Sequence, residues 1–127
     1  MIRAVVDSSV LMAFLRDEPL SDKLLLSETE VVISSVNLAE IFTKLLLYGT
    51  SPEKAWSGTK QLIDEVIPFT EAHAKSAGAL VAKTRNLGLS FGDRACLALG
   101  LTLNLPVYTA DKAWREIEVG VKVLLIR

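Results

Sequence analysis

A single cysteine, Cys96, and a single histidine, His73, stand in a chain of 127 residues. One cysteine excludes an internal disulfide and any cysteine-cluster zinc site. Cys96 falls in an apolar helical stretch, where a small buried residue is expected. One histidine excludes two-histidine ribonuclease chemistry. A Ser-His-Asp triad has no nucleophile-elbow sequence to support it. His73 is expected on a polar helix face, without a role. No apolar run approaches the roughly 20 residues that span a bilayer. The first residues lack the charge, apolar stretch and cleavage site of a signal peptide, so the expected location is cytoplasmic, with no membrane. No G-x-G-x-x-G or phosphate-binding loop follows any expected strand, which argues against a nucleotide-binding module.

What the chain does have is apolar residues, 50% of the total, above the usual share for a soluble domain. Its length suits one domain over residues 1–127 with a real core. Apolar β-branched runs predict strands over 2–6, 30–34, 66–69, 106–109 and 121–126. Between them, helical periodicity and cap residues predict helices over 9–16, 20–27, 35–48, 52–65, 71–85 and 93–103, with a helical turn over 111–116. Gly49 stops one helix and Pro52 opens the next. Strands alternating with helices imply an α/β fold, a parallel sheet of five strands at most with helices on both faces.

Four acids stand out. Asp7 ends the first strand, Glu40 follows the second, Asp111 follows the penultimate one, and Asp93 opens a helix after a loop. In a parallel sheet the carboxyl ends of the strands share the edge where ligands bind. Carboxylates gathered there repel, their pKa values rise, and a hard divalent cation such as Mg²⁺ or Mn²⁺ relieves the repulsion. Each acid also has an innocent reading. Asp7 can cap the next helix. Glu40 lies three residues after Asn37, and Asp93 three after Ser90, at capping-box spacing. Asp111 suits the first turn of a helix. The net charge of −1 looks wrong for a nucleic-acid binder, yet with four metal-bound carboxylates set aside the remainder is positive.

Four segments carry a resemblance to a known family. They are Val5-Val6-Asp7-Ser8-Ser9-Val10-Leu11, Asn37-Leu38-Ala39-Glu40-Ile41, Leu89-Ser90-Phe91-Gly92-Asp93-Arg94-Ala95-Cys96, and Leu105-Pro106-Val107-Tyr108-Thr109-Ala110-Asp111-Lys112-Ala113-Trp114. In this order and at these intervals, over essentially the whole chain, they resemble a PIN-domain ribonuclease, specifically the VapC-type toxin of bacterial and archaeal toxin–antitoxin pairs. The resemblance implies a sheet order of 3-2-1-4-5 and brings Asp93 into one pocket with Asp7, Glu40 and Asp111. It implies a metal-dependent endoribonuclease that uses Mg²⁺ or Mn²⁺ and cuts RNA. Asp7 and Asp93 would be direct ligands; Glu40 and Asp111 would bind the metal directly or through water. Ser9 and Thr109 match polar positions that support the pocket, and helix capping is their alternative. Arg16, Arg94, Lys112 and Arg115 could hold RNA phosphates, or could form a solvated face. Trp114 and Trp56 could stack on bases, although Trp114 is expected to pack.

Two partners follow from the same resemblance together with the apolar excess. Leu24, Leu25 and Leu26, and Leu45, Leu46, Leu47 and Tyr48, cannot all face one core. A second copy of the chain and an antitoxin tail would cover them, the tail bringing a basic side chain to the acids. A receiver-type switch would need an acid pair after the first strand, and a haloacid-dehalogenase-like phosphatase an Asp in place of Ser9; neither is present. A housekeeping RNA-processing nuclease and a non-catalytic interaction domain of the same fold remain open.

Overall fold

In the computed structural model, which describes residues 1–20 and 27–126, a five-stranded parallel sheet runs in the order β3-β2-β1-β4-β5. The strands are β1 Ile2–Val6, β2 Thr29–Ser34, β3 Glu65–Ile67, β4 Val107–Thr109 and β5 Val123–Leu125. The helices are α1 Ser8–Leu15, α2 Ser35–Leu47, α3 Pro52–Gln61, α4 Glu71–Ala79, α5 Val81–Thr84 and α6 Phe91–Leu103, with 3-10 turns at Arg85–Leu87 and Lys112–Glu116. This is the single α/β domain and the strand order expected. The helix expected at 20–27, with Leu24, Leu25 and Leu26, falls largely outside the described residues.

Alternation along the strands sorts side chains into two cores. Ala4, Val6, Val31, Ile33 and Tyr108 pack under α1, α2 and α3, against Val10, Leu11, Ile41 and Leu45. Val5, Val32 and Val107 face the other side, against Ala77 of α4 and Cys96, Leu97 and Leu99 of α6. Trp114 joins this second core at 1% exposure, so it packs, and Cys96 is fully buried as expected. Trp56 is half-exposed and meets Phe42 edge-on.

Several boundaries moved for local reasons. The helix expected to reach 65 ends at Gln61, because Asp64 turns to β2: its N–H donates to the Val31 carbonyl and its carboxylate accepts from the Val31 N–H at 2.6 Å. β3 stops before Pro68, which has no N–H to continue the ladder. The helix expected over 71–85 breaks at Leu80, where the Thr84 hydroxyl back-bonds to the Leu80 carbonyl at 2.8 Å, a contact that bends helices. α6 begins two residues early, with Ser90 as its cap. His73 does not lie on a polar surface. It is buried, its ring edge meets Phe69, and its Nδ1 accepts from the Thr70 N–H while its own N–H donates to Thr70 Oγ1.

α6 lies close on β4. A Cβ on Gly100 would stand 2.5 Å from Val107 Cγ2, in a side chain that is fully buried and has nowhere to go. Gly100→Ala is therefore expected to lower stability by on the order of 1 kcal/mol despite its better helix propensity. Gly78, exposed on α4 with open space around it, gives the control: Gly78→Ala is expected to raise stability by about 0.5–1 kcal/mol. Denaturant midpoints that move the same way for both variants would contradict this packing.

Candidate metal centre at the carboxyl edge of the sheet

β1 is the point where the sheet order reverses, with the chain proceeding to β2 on one side and returning through β4 on the other. In open α/β sheets that crevice is the usual ligand site. Asp7 leaves β1 there, 4% exposed. It does cap α1, since Oδ1 accepts from the Val10 N–H at 3.3 Å. The rest of its bonding has nothing to do with capping. Ser9 Oγ donates to Oδ1 at 2.6 Å and Thr109 Oγ1 donates to Oδ2 at 2.7 Å. The two hydroxyls are oriented in turn by backbone N–H groups beyond β4, from Ala110 to Ser9 Oγ at 2.9 Å and from Asp111 to Thr109 Oγ1 at 3.0 Å. Ser9 and Thr109, expected to support the pocket, thus converge on one carboxylate.

Glu40 is not a cap. Ser34 caps α2, accepting from the Val36 N–H, so Glu40 lies in the second turn and Asn37 inside the helix. Asn37 Nδ2 donates to Glu40 Oε1 at 2.8 Å and to the Gly92 carbonyl at 3.0 Å. The Glu40 carboxylate lies over Gly92 in the space any Cβ would occupy. Sequence reasoning missed Asn37 as a clamp and Gly92 as a gap. A glycine between a cap and an acid in a helix's first turn was the available signal for close approach.

Asp93 closes a capping box with Ser90, Oδ2 accepting from the Ser90 N–H at 2.9 Å. Its innocent reading therefore holds, without removing it from the site. Burial pushes Asp7 up to about 6, against the pull of its hydrogen bonds to Ser9, Thr109 and Val10, and the Asp93 charge adds to the rise. Beneath them, burial pushes the Cys96 thiol well up, and Asp7, Asp93 and Glu40 all raise it further. Three carboxylates from three elements thus act on one spot. Asp111 is more remote. Its backbone joins the Thr109 network, but its carboxylate is exposed and caps the 3-10 turn through the Ala113 N–H at 2.9 Å.

Among the described residues no three His, Cys, Asp or Glu side chains stand close enough to hold a metal ion as arranged. The donor chemistry nonetheless suits a hard cation: every donor is a carboxylate oxygen, and no lysine or arginine of the described residues pairs with any of the four acids. Of the expected phosphate contacts, Arg16 lies over the Tyr48 ring at 4.0 Å, with Glu18 at 4.0 Å. Arg94 donates to the Ala77 carbonyl, and Lys112 and Arg115 are exposed on the 3-10 turn.

The raised Asp7 carboxyl makes a testable statement about stability. Between pH 3.8 and about 6 the folded protein holds this proton more tightly than the unfolded chain. Stability therefore falls as pH rises through that window, and the full penalty, on the order of 3 kcal/mol, persists above it. In chelator at pH 7–8, Asp7→Asn is expected to melt several degrees above wild type, with the gap closing below about pH 4. Thermal melts showing the variant less stable at pH 8 would contradict an uncompensated charge.

Residues 4–120 match the PIN domain. No curated protein matches the sequence. Among solved structures, VapBC2 from Rickettsia felis, bound to a promoter DNA fragment, superposes with a TM-score of 0.75 at 18% identity over 100% of both chains. DNA-bound VapBC from Salmonella typhimurium gives 0.75 at 16% identity over 97% of each chain. VapBC-5 from Mycobacterium tuberculosis, a member of the VapBC family of toxin–antitoxin systems, gives 0.65 at 20% identity over 100% of this chain and 99% of that one. At such identities the likeness is one of fold. With a family match over nearly the whole chain, a shared strand order and acids gathered where the sheet reverses, this chain belongs to the PIN-domain family.

Proposed function

We propose that the protein is a Mg²⁺- or Mn²⁺-dependent endoribonuclease, the toxin of a type II toxin–antitoxin pair acting on RNA in the cytoplasm. The observation that carries the reading is Asp7: a buried carboxylate at the sheet's reversal point, both oxygens engaged, paired with no lysine or arginine of the described residues, with the Asp93 charge acting on it and Glu40 joining both in raising the Cys96 thiol. Family membership and the fold shared with toxin–antitoxin structures support it.

In this reading Asp7, Glu40, Asp93 and Asp111 hold the metal. When bound, the ion supplies a water acidified towards neutral pH and positive charge for the phosphoryl oxygens. The chain's own residues do the rest. Ser9 and Thr109 keep Asp7 from turning away. Asn37 occupies Glu40 Oε1 and leaves Oε2 to accept a proton from the attacking water. Burial of Asp7 limits the screening of its own charge by bulk water.

RNA cleavage is expected to require Mg²⁺ or Mn²⁺ and to stop in EDTA, while Ca²⁺, larger and less demanding in geometry, supports it poorly. Asp7→Asn and Asp93→Asn are expected to abolish cleavage without unfolding the protein. Wild-type rates in excess chelator, or in Asp7→Asn with Mg²⁺, would overturn the assignment. No cleavage with any divalent ion would point to a non-catalytic domain of the same fold.

The reading also includes two protein partners, a second copy and an antitoxin whose basic side chain replaces the metal as counter-charge. Leu45 is buried, but Leu46, Leu47 and Tyr48 are 37%, 82% and 61% exposed, leaving the end of α2 apolar and uncovered. Sedimentation at micromolar concentration is expected to show a dimer; a monomer would remove the second copy. An antitoxin that binds yet leaves cleavage unimpaired would remove the blocking role.

A further inference from the structure

Phe91 is the first residue of α6, and its ring is 51% exposed. The ring is nonetheless fixed. It meets Phe69 edge-to-face at 5.5 Å and 85°, and the Phe69 N–H donates to Ser35 Oγ at the start of α2. It therefore forms a shelf anchored to the starts of both helices that carry Glu40 and Asp93. Gly92, with the Glu40 carboxylate over it, comes next in the chain, and Asp93 follows.

One helical turn on, Arg94 lies on the same side of α6 as Phe91. It gives one N–H to the Ala77 carbonyl at 3.2 Å, keeping its other donors. With Arg85 it lines a pocket of about 200 Å³ whose other walls include Thr84, Gly88 and Leu89. Neither arginine forms an ion pair among the described residues. A flat exposed ring thus stands two residues before Asp93, and one helical turn on lies a pocket lined by two arginines that form no ion pair among the described residues. That pairing matches single-stranded nucleic acid, in which an unstacked base covers an aromatic ring and the phosphate meets the cations.

We infer that Phe91 and the Arg85–Arg94 pocket form the subsite for a nucleotide flanking the cleaved bond, with base on ring and phosphate in pocket. This rests on the nuclease reading above. It makes single-stranded RNA the substrate, since a paired base cannot reach the ring.

Binding of a short fluorescent single-stranded oligoribonucleotide of mixed sequence, followed by anisotropy in EDTA, tests this without activity. Phe91→Leu is expected to weaken binding about tenfold and Phe91→Trp to keep it near wild type, because stacking needs a π-face and not merely apolar bulk. Arg85→Gln, exposed and remote from either core, is expected to weaken binding and flatten its salt dependence. Thermal melts establish that each variant is folded. If wild type cuts RNA while both Phe91→Leu and Arg85→Gln bind it as wild type does, the inference falls and the nuclease reading stands. If Phe91→Leu spares RNA binding but dissociates the protein in sedimentation, the ring is a protein contact and the inference falls. If wild type neither binds nor cuts single-stranded RNA, both fall together.

Discussion

The rest of the site depends on one constraint, a carboxylate kept out of water with no lysine or arginine of the described residues paired to it. Asp7 is tolerated because two hydroxyls donate to it, and each hydroxyl is aimed by a backbone N–H beyond β4. The arrangement stitches the ends of β1 and β4 together at the reversal of the sheet. It has a direction as well: each proton points towards Asp7, so the hydroxyls stabilise the charged carboxylate that burial disfavours. Burial wins, and the carboxyl stays high at about 6. A fold that only needed a helix cap could have used a serine.

For three of the four acids the innocent reading holds, and it does not take them away from the carboxyl edge of the sheet. Asp7, Asp93 and Asp111 all cap helical segments. Capping brings a carboxylate to a helix N-terminus, and the N-termini of α1, α2 and α6 meet at the carboxyl edge because the parallel sheet sends every crossover the same way. Glu40, the only one of the four without a capping bond, is held by Asn37 instead.

The strands, the turns and the strand-end acids could be read in the sequence because they rest on local signals: β-branched runs, Gly49, Pro52, and acids that follow strands. The strand order came from the resemblance, as no local pattern encodes which strand neighbours which. The innocent alternative for Glu40, a box with Asn37, fails although Ser34 and Asn37 are equally good caps on paper. Pairing of Ser34 with Ile67 keeps β2 extended to Ser34 and selects it. His73 was misplaced for a related reason. Its polarity suggested solvent, but its ring closes a capping box with Thr70 and packs against Phe69, which arrives from β3. Asn37 meets Gly92 across 55 residues of chain, a contact set wholly by how α2 packs on α6.

The stitch between Asp7 and Thr109 spans 102 residues, with β2 and β3 both formed from chain in between. Within its own segment Asp7 can cap α1 and accept from Ser9, both on one oxygen. Its second oxygen stays without a protein donor until β4 has emerged and slotted in beside β1. A nascent chain can thus build the α1–α3 side of the sheet while its acidic centre is still unfinished. Completion of the centre is tied to the docking of β4, which lies near the end of the chain.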